Sequence, residues 1–146
     1  MAKARLTILH PNKDGDWSSV RAELFYQNDE RPGFVRLSFA RQKGDSFDCD
    51  GAISCDLKFD ALTKTIMILR GDAEQTEPGK PMATSDDVRL ALRRKDDGCV
   101  VLAAMRKSLG SDEKIGIVLA PHEADGLRLA LEQSMFFVAF IKAVNP

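Results

Sequence analysis

The chain is poor in the residues that carry most enzyme chemistry. Its two histidines, His10 and His122, lie far apart in sequence, and its three cysteines, Cys49, Cys55 and Cys99, form no C-x-x-C pair. An odd cysteine count without pair spacing points to reduced thiols that pack as small hydrophobes. No G-x-x-x-x-G-K-[ST], H-E-x-x-H or G-x-S-x-G occurs, so the usual phosphate, zinc and nucleophile signatures are missing. His122 falls in the first turn of a predicted helix, where a capping or surface role suffices. No catalytic residue, metal ligand or cofactor is nominated, and the chain reads as non-enzymatic.

Long apolar runs are missing too. A membrane span needs roughly 18 apolar residues. The longest candidate here, "SMFFVAFIKAV", is shorter and follows a helical pattern, so no membrane partner is expected. The start, "MAKARLTILHPNK", has charge but no apolar core and no small-residue cleavage site, which points to an intracellular, cytoplasmic protein.

Two acidic clusters have partial calcium-loop spacing. "NKDGDWSSVRAE" sets Asn12, Asp14, Asp16 and Glu23 at ligand positions, but Trp17 stands where a sharp turn requires glycine. "SFDCDG" spaces Asp48, Asp50 and Gly51 correctly and lacks the closing glutamate. Both read as turns.

What the chain does have is an ordinary globular composition, 44% apolar and 29% charged over 146 residues, enough to bury one core. The net charge of −1 argues against indiscriminate coating of nucleic acid. Its distribution says more. Acids gather in probable turns, among them Asp29/Glu30, Asp45/Asp48/Asp50, Asp86/Asp87, Asp96/Asp97 and Asp112/Glu113. The strand-like runs "FVRLSFAR", "VRLALRR" and "VVLAAMRK" contain arginine and no acid.

Period-2 alternation predicts strands at Lys3–His10, Ser18–Gln27, Gly33–Gln42 and Ala52–Phe59, then a helix with Asp60 as N-cap and Gly71 closing it. The polar "DAEQTEPGKP" reads as a linker. A second series follows: a short strand near Met82–Ser85, Val88–Lys95, Cys99–Lys107 and Lys114–Ala120, with Pro121 opening the last helix. "AISCDLKFDALTKTIMILRG" and "KIGIVLAPHEADGLRLALEQ" share one strand-to-helix change. Ile53, Leu57 and Leu69 fall opposite Ile115, Leu119 and Leu131 at a constant offset of 62 (115 − 53). The predicted fold is α+β: two repeats of a four-stranded antiparallel sheet followed by a helix, with the helices packed together. The whole is one domain, 1–146, with repeat one about 1–72, a linker about 73–81 and repeat two about 82–146.

Alternation also sorts the strand faces. Val20, Ala22 and Leu24, Val35, Leu37 and Phe39, and Val88, Leu90 and Leu92 face the helices. The other face then shows Arg5, Arg21, Phe25, Phe34, Arg36, Ser38, Arg89, Arg93 and Arg106. Guanidinium groups pair with phosphates and rings stack on unpaired bases, so such a face suits single-stranded nucleic acid. A solvated face with its arginines paired to Glu23 or to turn acids fits the same pattern.

Two copies of four strands and a helix resemble the Whirly proteins and the trypanosomatid mitochondrial RNA-binding proteins, and one copy resembles the PC4 coactivator. "IGIVLAPHEADGLRLAL" is similar to the PC4-like strand running into a proline-started helix, and "ISCDLKFDALTKTIMILRG" to the matching Whirly segment. The lysine-rich "KGKAAL" of plant Whirly proteins is absent, so their higher-order assembly does not carry over. The resemblance implies a non-enzymatic, regulatory or recombination-related protein that binds single-stranded DNA or RNA, DNA favoured, along its sheets. It also implies a homo-oligomer. The apolar C-terminal helix points the same way, as the joint of a dimer or tetramer. The alternative is an oligomeric protein-interaction or structural module whose basic face takes an acidic partner.

Overall fold

Local alternation becomes strands that pair largely in sequence order. The computed structural model describes residues 2–11, 15–26, 32–73, 75–76, 80–108 and 111–140. The first half comprises β1 (Ala2–Pro11), β2 (Trp17–Phe25), β3 (Phe34–Lys43), β4 (Ser46–Phe47), β5 (Ile53–Leu57) and α1 (Phe59–Arg70). The second comprises β6 (Met82–Ala83), β7 (Val88–Arg94), β8 (Val100–Ser108), β9 (Ser111–Leu119) and α2 (Pro121–Met135), which runs on into a π-helical turn, Phe136–Phe140. Both sheets are antiparallel. The first is ordered β1-β2-β3, with β5 beside β3 and β4 a short hairpin on its end; the second is ordered β6-β7-β8-β9.

The predicted α+β order is therefore present, and the two strand-to-helix junctions superimpose in sequence. Strand β5 ends at Leu57 and α1 begins at Phe59; β9 ends at Leu119 and α2 begins at Pro121, the same offset of 62 (119 − 57). Ile53, Leu57, Leu62, Thr65 and Leu69 and their counterparts Ile115, Leu119, Ala124, Leu127 and Leu131 are all buried. Thr65 is tolerated opposite a leucine because its hydroxyl donates to the Ala61 carbonyl at 2.8 Å.

One apolar cluster joins the inner faces of both sheets to both helices, with Leu37, Phe39, Leu90, Leu102 and Leu131 fully enclosed. Each such side chain contributes about 1.5–3 kcal/mol on leaving water. Two arginines tie the sheets together at one edge. Arg41 donates to the Lys114 carbonyl, and Arg106 donates to the Ala52 carbonyl and to Glu113.

Several expectations shift. Asp60 is not the N-cap. Lys58 is extended there and its carbonyl accepts from Leu62 N–H at 2.8 Å, so the helix starts at Phe59 and Asp60 lies in the first turn, where a carboxylate suits the positive end of the dipole. Gly71 does close α1, with φ 83°. Asp112 and Glu113 belong to β9, because the β8–β9 ladder runs on through Lys107↔Asp112 to Ser108↔Ser111. Pro121 opens α2 as predicted, and Glu123 accepts from Ala120 N–H at 2.8 Å. His122 is exposed. Thr76 pairs with the edge of β7 through Leu92. Asn12, Asp14, Gln27, Asp29 and Glu30, residues 74 and 77–79 of "DAEQTEPGKP", and the residues beyond 140 lie outside the described residues.

Candidate functional site

The outer face of the first sheet, turned away from the helices, carries most of the singled-out residues. Register fixes its rows. Thr7, Arg21, Ser38 and Ser54 lie side by side across β1, β2, β3 and β5, and Arg5, Glu23, Arg36 and Asp56 form the next row. Phe25 faces Phe34 in the row beyond. Period 2 keeps all of these off the core face, where Val20, Ala22, Leu24, Val35 and Leu37 sit.

Phe25 and Phe34 stack with centroids 4.9 Å apart and planes 9° from parallel. The Arg36 guanidinium lies 5.1 Å from one ring centroid and 5.6 Å from the other. Asp56 holds it through paired bonds of 2.8 and 3.2 Å. Those bonds raise the Arg36 pKa above its ordinary value, against the opposing effect of burial, so the group is charged at any working pH. The bidentate fork and the ring contacts together hold the stacked pair as an aromatic platform at one end of the sheet. Asp56 is the residue that sequence reasoning missed. Alternation in "ISCDL" does place Ser54 and Asp56 outward, but nothing local says that β5 pairs with β3 and sets Asp56 opposite Arg36.

The other charges divide by pairing. Arg5 is ion-paired with Glu23 at 3.2 Å. Ser38 and Ser54 share a hydroxyl contact of 3.2 Å. Arg21 sits between Thr7 and Ser38, half-buried and bonded to no other described residue. The row therefore offers one uncommitted guanidinium flanked by hydroxyls, a combination suited to an oxyanion such as phosphate.

On the second sheet the outer rows are Ala83, Arg89, Met105 and Lys114, then Ala91, Ala103 and Gly116, then Arg93, Val101 and Val118. Arg89 is tied to the Ser85 carbonyl at 2.8 Å, and Arg93 is exposed. Arg106 departs from the expectation. It pairs in register with Val88 and shares the side of Val100, Leu102 and Ala104, so it lies on the core-bearing side and serves as a tie between the sheets. The singled-out residues therefore form two groups, one on each sheet, with Arg106 in neither.

Elsewhere among the described residues nothing gathers reactive groups. Among the described residues no three His, Cys, Asp or Glu side chains are placed to hold a metal ion. Asp48 and Gly51 form a turn in which the carboxylate accepts from the glycine N–H at 3.1 Å. Burial pushes the Cys55 thiol up to about 12, far from nucleophilic. A cavity of about 260 Å³ between α2 and the first sheet is walled by Leu6, Leu24, Val35, Leu131 and Phe137. No helix of the described residues is long and apolar enough to cross a membrane.

Two antiparallel sheets, each running into a helix at a matching junction, with the helices packed on a shared core, define the Whirly fold, and this chain has it. WHY1 from Arabidopsis thaliana matches at a TM-score of 0.69 and 20% identity, over 97% of this chain and 90% of that one. MRP1/MRP2 from Trypanosoma brucei match at 0.69 and 14%, over 97% and 89%. A guide-RNA-binding protein complex bound to a guide RNA matches at 0.67 and 16%, over 96% and 94%. The sequence matches no protein-family model and no curated protein, so what is shared is the fold.

Proposed function

We propose that the chain binds single-stranded nucleic acid along the outer face of its first sheet, without catalysing a reaction. The observation that carries this is the Phe25–Phe34 stack, clamped by Arg36, on an open sheet face that also holds the uncommitted Arg21. Stacked rings accept the face of any unpaired base, and a guanidinium at strand spacing accepts the backbone. A duplex keeps its base faces inside, so the platform favours single strands. Arg89 and Arg93 extend positive charge onto the second sheet. The fold neighbours support the reading, since one is a complex bound to a guide RNA and another is a plant transcriptional regulator. DNA is favoured over RNA, in a regulatory or recombination-related role and a cytoplasmic setting.

The same reading includes a homo-oligomer. Leu129 and Phe136 on the α2 side and Met67 on α1 are 51%, 47% and 40% exposed, more apolar surface than a helix pair usually leaves wet.

The test is a fluorescence-anisotropy titration of labelled single- and double-stranded DNA and RNA. Single strands bind, duplexes bind more weakly, and affinity falls steeply with added salt. No binding of any single strand at low salt refutes the proposal.

A further inference from the structure

The platform at Phe25 and Phe34 is one end of the outer face, and the other end is apolar too. Trp17 stands on β2 with the same parity as Arg21 and Phe25, and Leu9, Gln42 and Phe47 join it by register on the same side. Trp17 is 42% exposed and Leu9 46%. With Asp45 and Ser46 they line a hollow of about 210 Å³. Hydrogen bonds fix one of its lining residues, Gln42. The Gln42 side chain accepts from the Trp17 backbone N–H at 3.0 Å and donates to the Gly44 carbonyl at 3.0 Å, so its amide is committed. An indole and a leucine left in water at a pre-formed hollow call for a flat, largely apolar occupant.

We infer that this hollow is a second base-stacking station, in which Trp17 takes a nucleobase of the same single strand that occupies the Phe25–Phe34 platform. The inference rests on the reading of that platform given above. Three observations favour a nucleobase over any other apolar group. Trp17 and Phe25 lie eight positions apart on one strand (25 − 17), about 26 Å at ~3.3 Å per residue. Arg21 lies midway, where the backbone between two held bases must pass. The carboxylate at the hollow, Asp45, repels phosphate but accepts a hydrogen bond from the exocyclic amine of a base. At ~3.4 Å per nucleotide of stacked strand the track takes about eight nucleotides, and fewer if the strand is stretched.

The chain has a single tryptophan, so its emission reports this hollow and no other place. A mixed-sequence DNA dodecamer is titrated into the full chain, with anisotropy of the labelled oligonucleotide and Trp17 emission read on the same samples. Quenching that saturates together with anisotropy is expected. Trp17→Ala weakens dodecamer binding about tenfold and Trp17→Phe keeps most of it, in line with what one base–ring stack contributes. Circular dichroism confirms that both variants retain the sheet. A dodecamer that binds by anisotropy while the emission stays constant and Trp17→Ala binds as well as the parent overturns the inference and leaves the platform standing. Failure of any single strand to bind overturns both.

Discussion

Arg21 and Arg36 are neighbours on one face but differ in pairing, and under the proposed function salt dependence separates them. Arg21 bonds to no other described residue, so Arg21→Ala should change stability by less than about 0.5 kcal/mol, as for an ordinary surface substitution. If Arg21 meets a phosphate, its loss lowers the slope of log affinity against log salt by about 0.7 for a single strand. Between about 50 and 200 mM salt, the parent then loses roughly 2.6-fold more affinity than the variant. Arg36 differs because Asp56 already compensates its charge. The ion pair is 36% exposed on each side and contributes at most about 1 kcal/mol. The ring contacts add about 0.5–1 kcal/mol. The double variant Arg36→Ala with Asp56→Asn removes the pair without changing net charge. It should lower stability by about 1–2 kcal/mol and weaken binding through the loosened platform, with the salt slope unchanged. Anisotropy of a labelled dodecamer across the salt series gives the slopes, and urea melts give the stabilities. A double variant whose slope drops by 0.7, beside an Arg21→Ala whose slope does not, refutes this division of labour.

Three more outcomes concern Cys55 and the assembly. Burial raises the Cys55 thiol from its ordinary 9.0 to about 12, whereas Cys49 is exposed. A thiol reagent should modify Cys49 at once and Cys55 only as the chain unfolds; equal rates on the native protein contradict the burial. Since the folded thiol holds its proton where the unfolded one loses it, the stability tied to Cys55 is complete below pH 9.0 and is lost between there and about 12. Urea midpoints across that window should decline less in Cys55→Ala. For assembly, light scattering at micromolar concentration should give a multiple of the single-chain mass, and Leu129→Glu should reduce it to one chain. A monodisperse monomer of the parent rules out the helix-mediated oligomer.

Alternation alone determined which side chains of the first sheet point outward. Period 2 is a property of each strand, so Arg21, Phe25, Phe34, Arg36 and Ser38 share the face opposite the apolar set whichever partner each strand takes. The junctions at Leu57–Phe59 and Leu119–Pro121 were legible for a similar reason. A switch from period 2 to a helical stripe, closed by Gly71 in one copy and opened by Pro121 in the other, lies within a short window.

Tertiary structure decided the pairings. Asp56 reaches Arg36 only because β5, after the short β4, joins β3, a choice made by the buried row Ile53, Cys55 and Leu57 against Phe39, Leu37 and Val35. Arg106 went to the core-bearing side because "VVLAAMRK" is apolar in both registers, and only docking of Val100, Leu102 and Ala104 against the shared core distinguishes them. The hollow at Trp17 required β1, β2 and the β3–β4 hairpin to meet. Cross-strand pairing and face selection are settled by the burial energy of the whole core, which no stretch of sequence contains by itself.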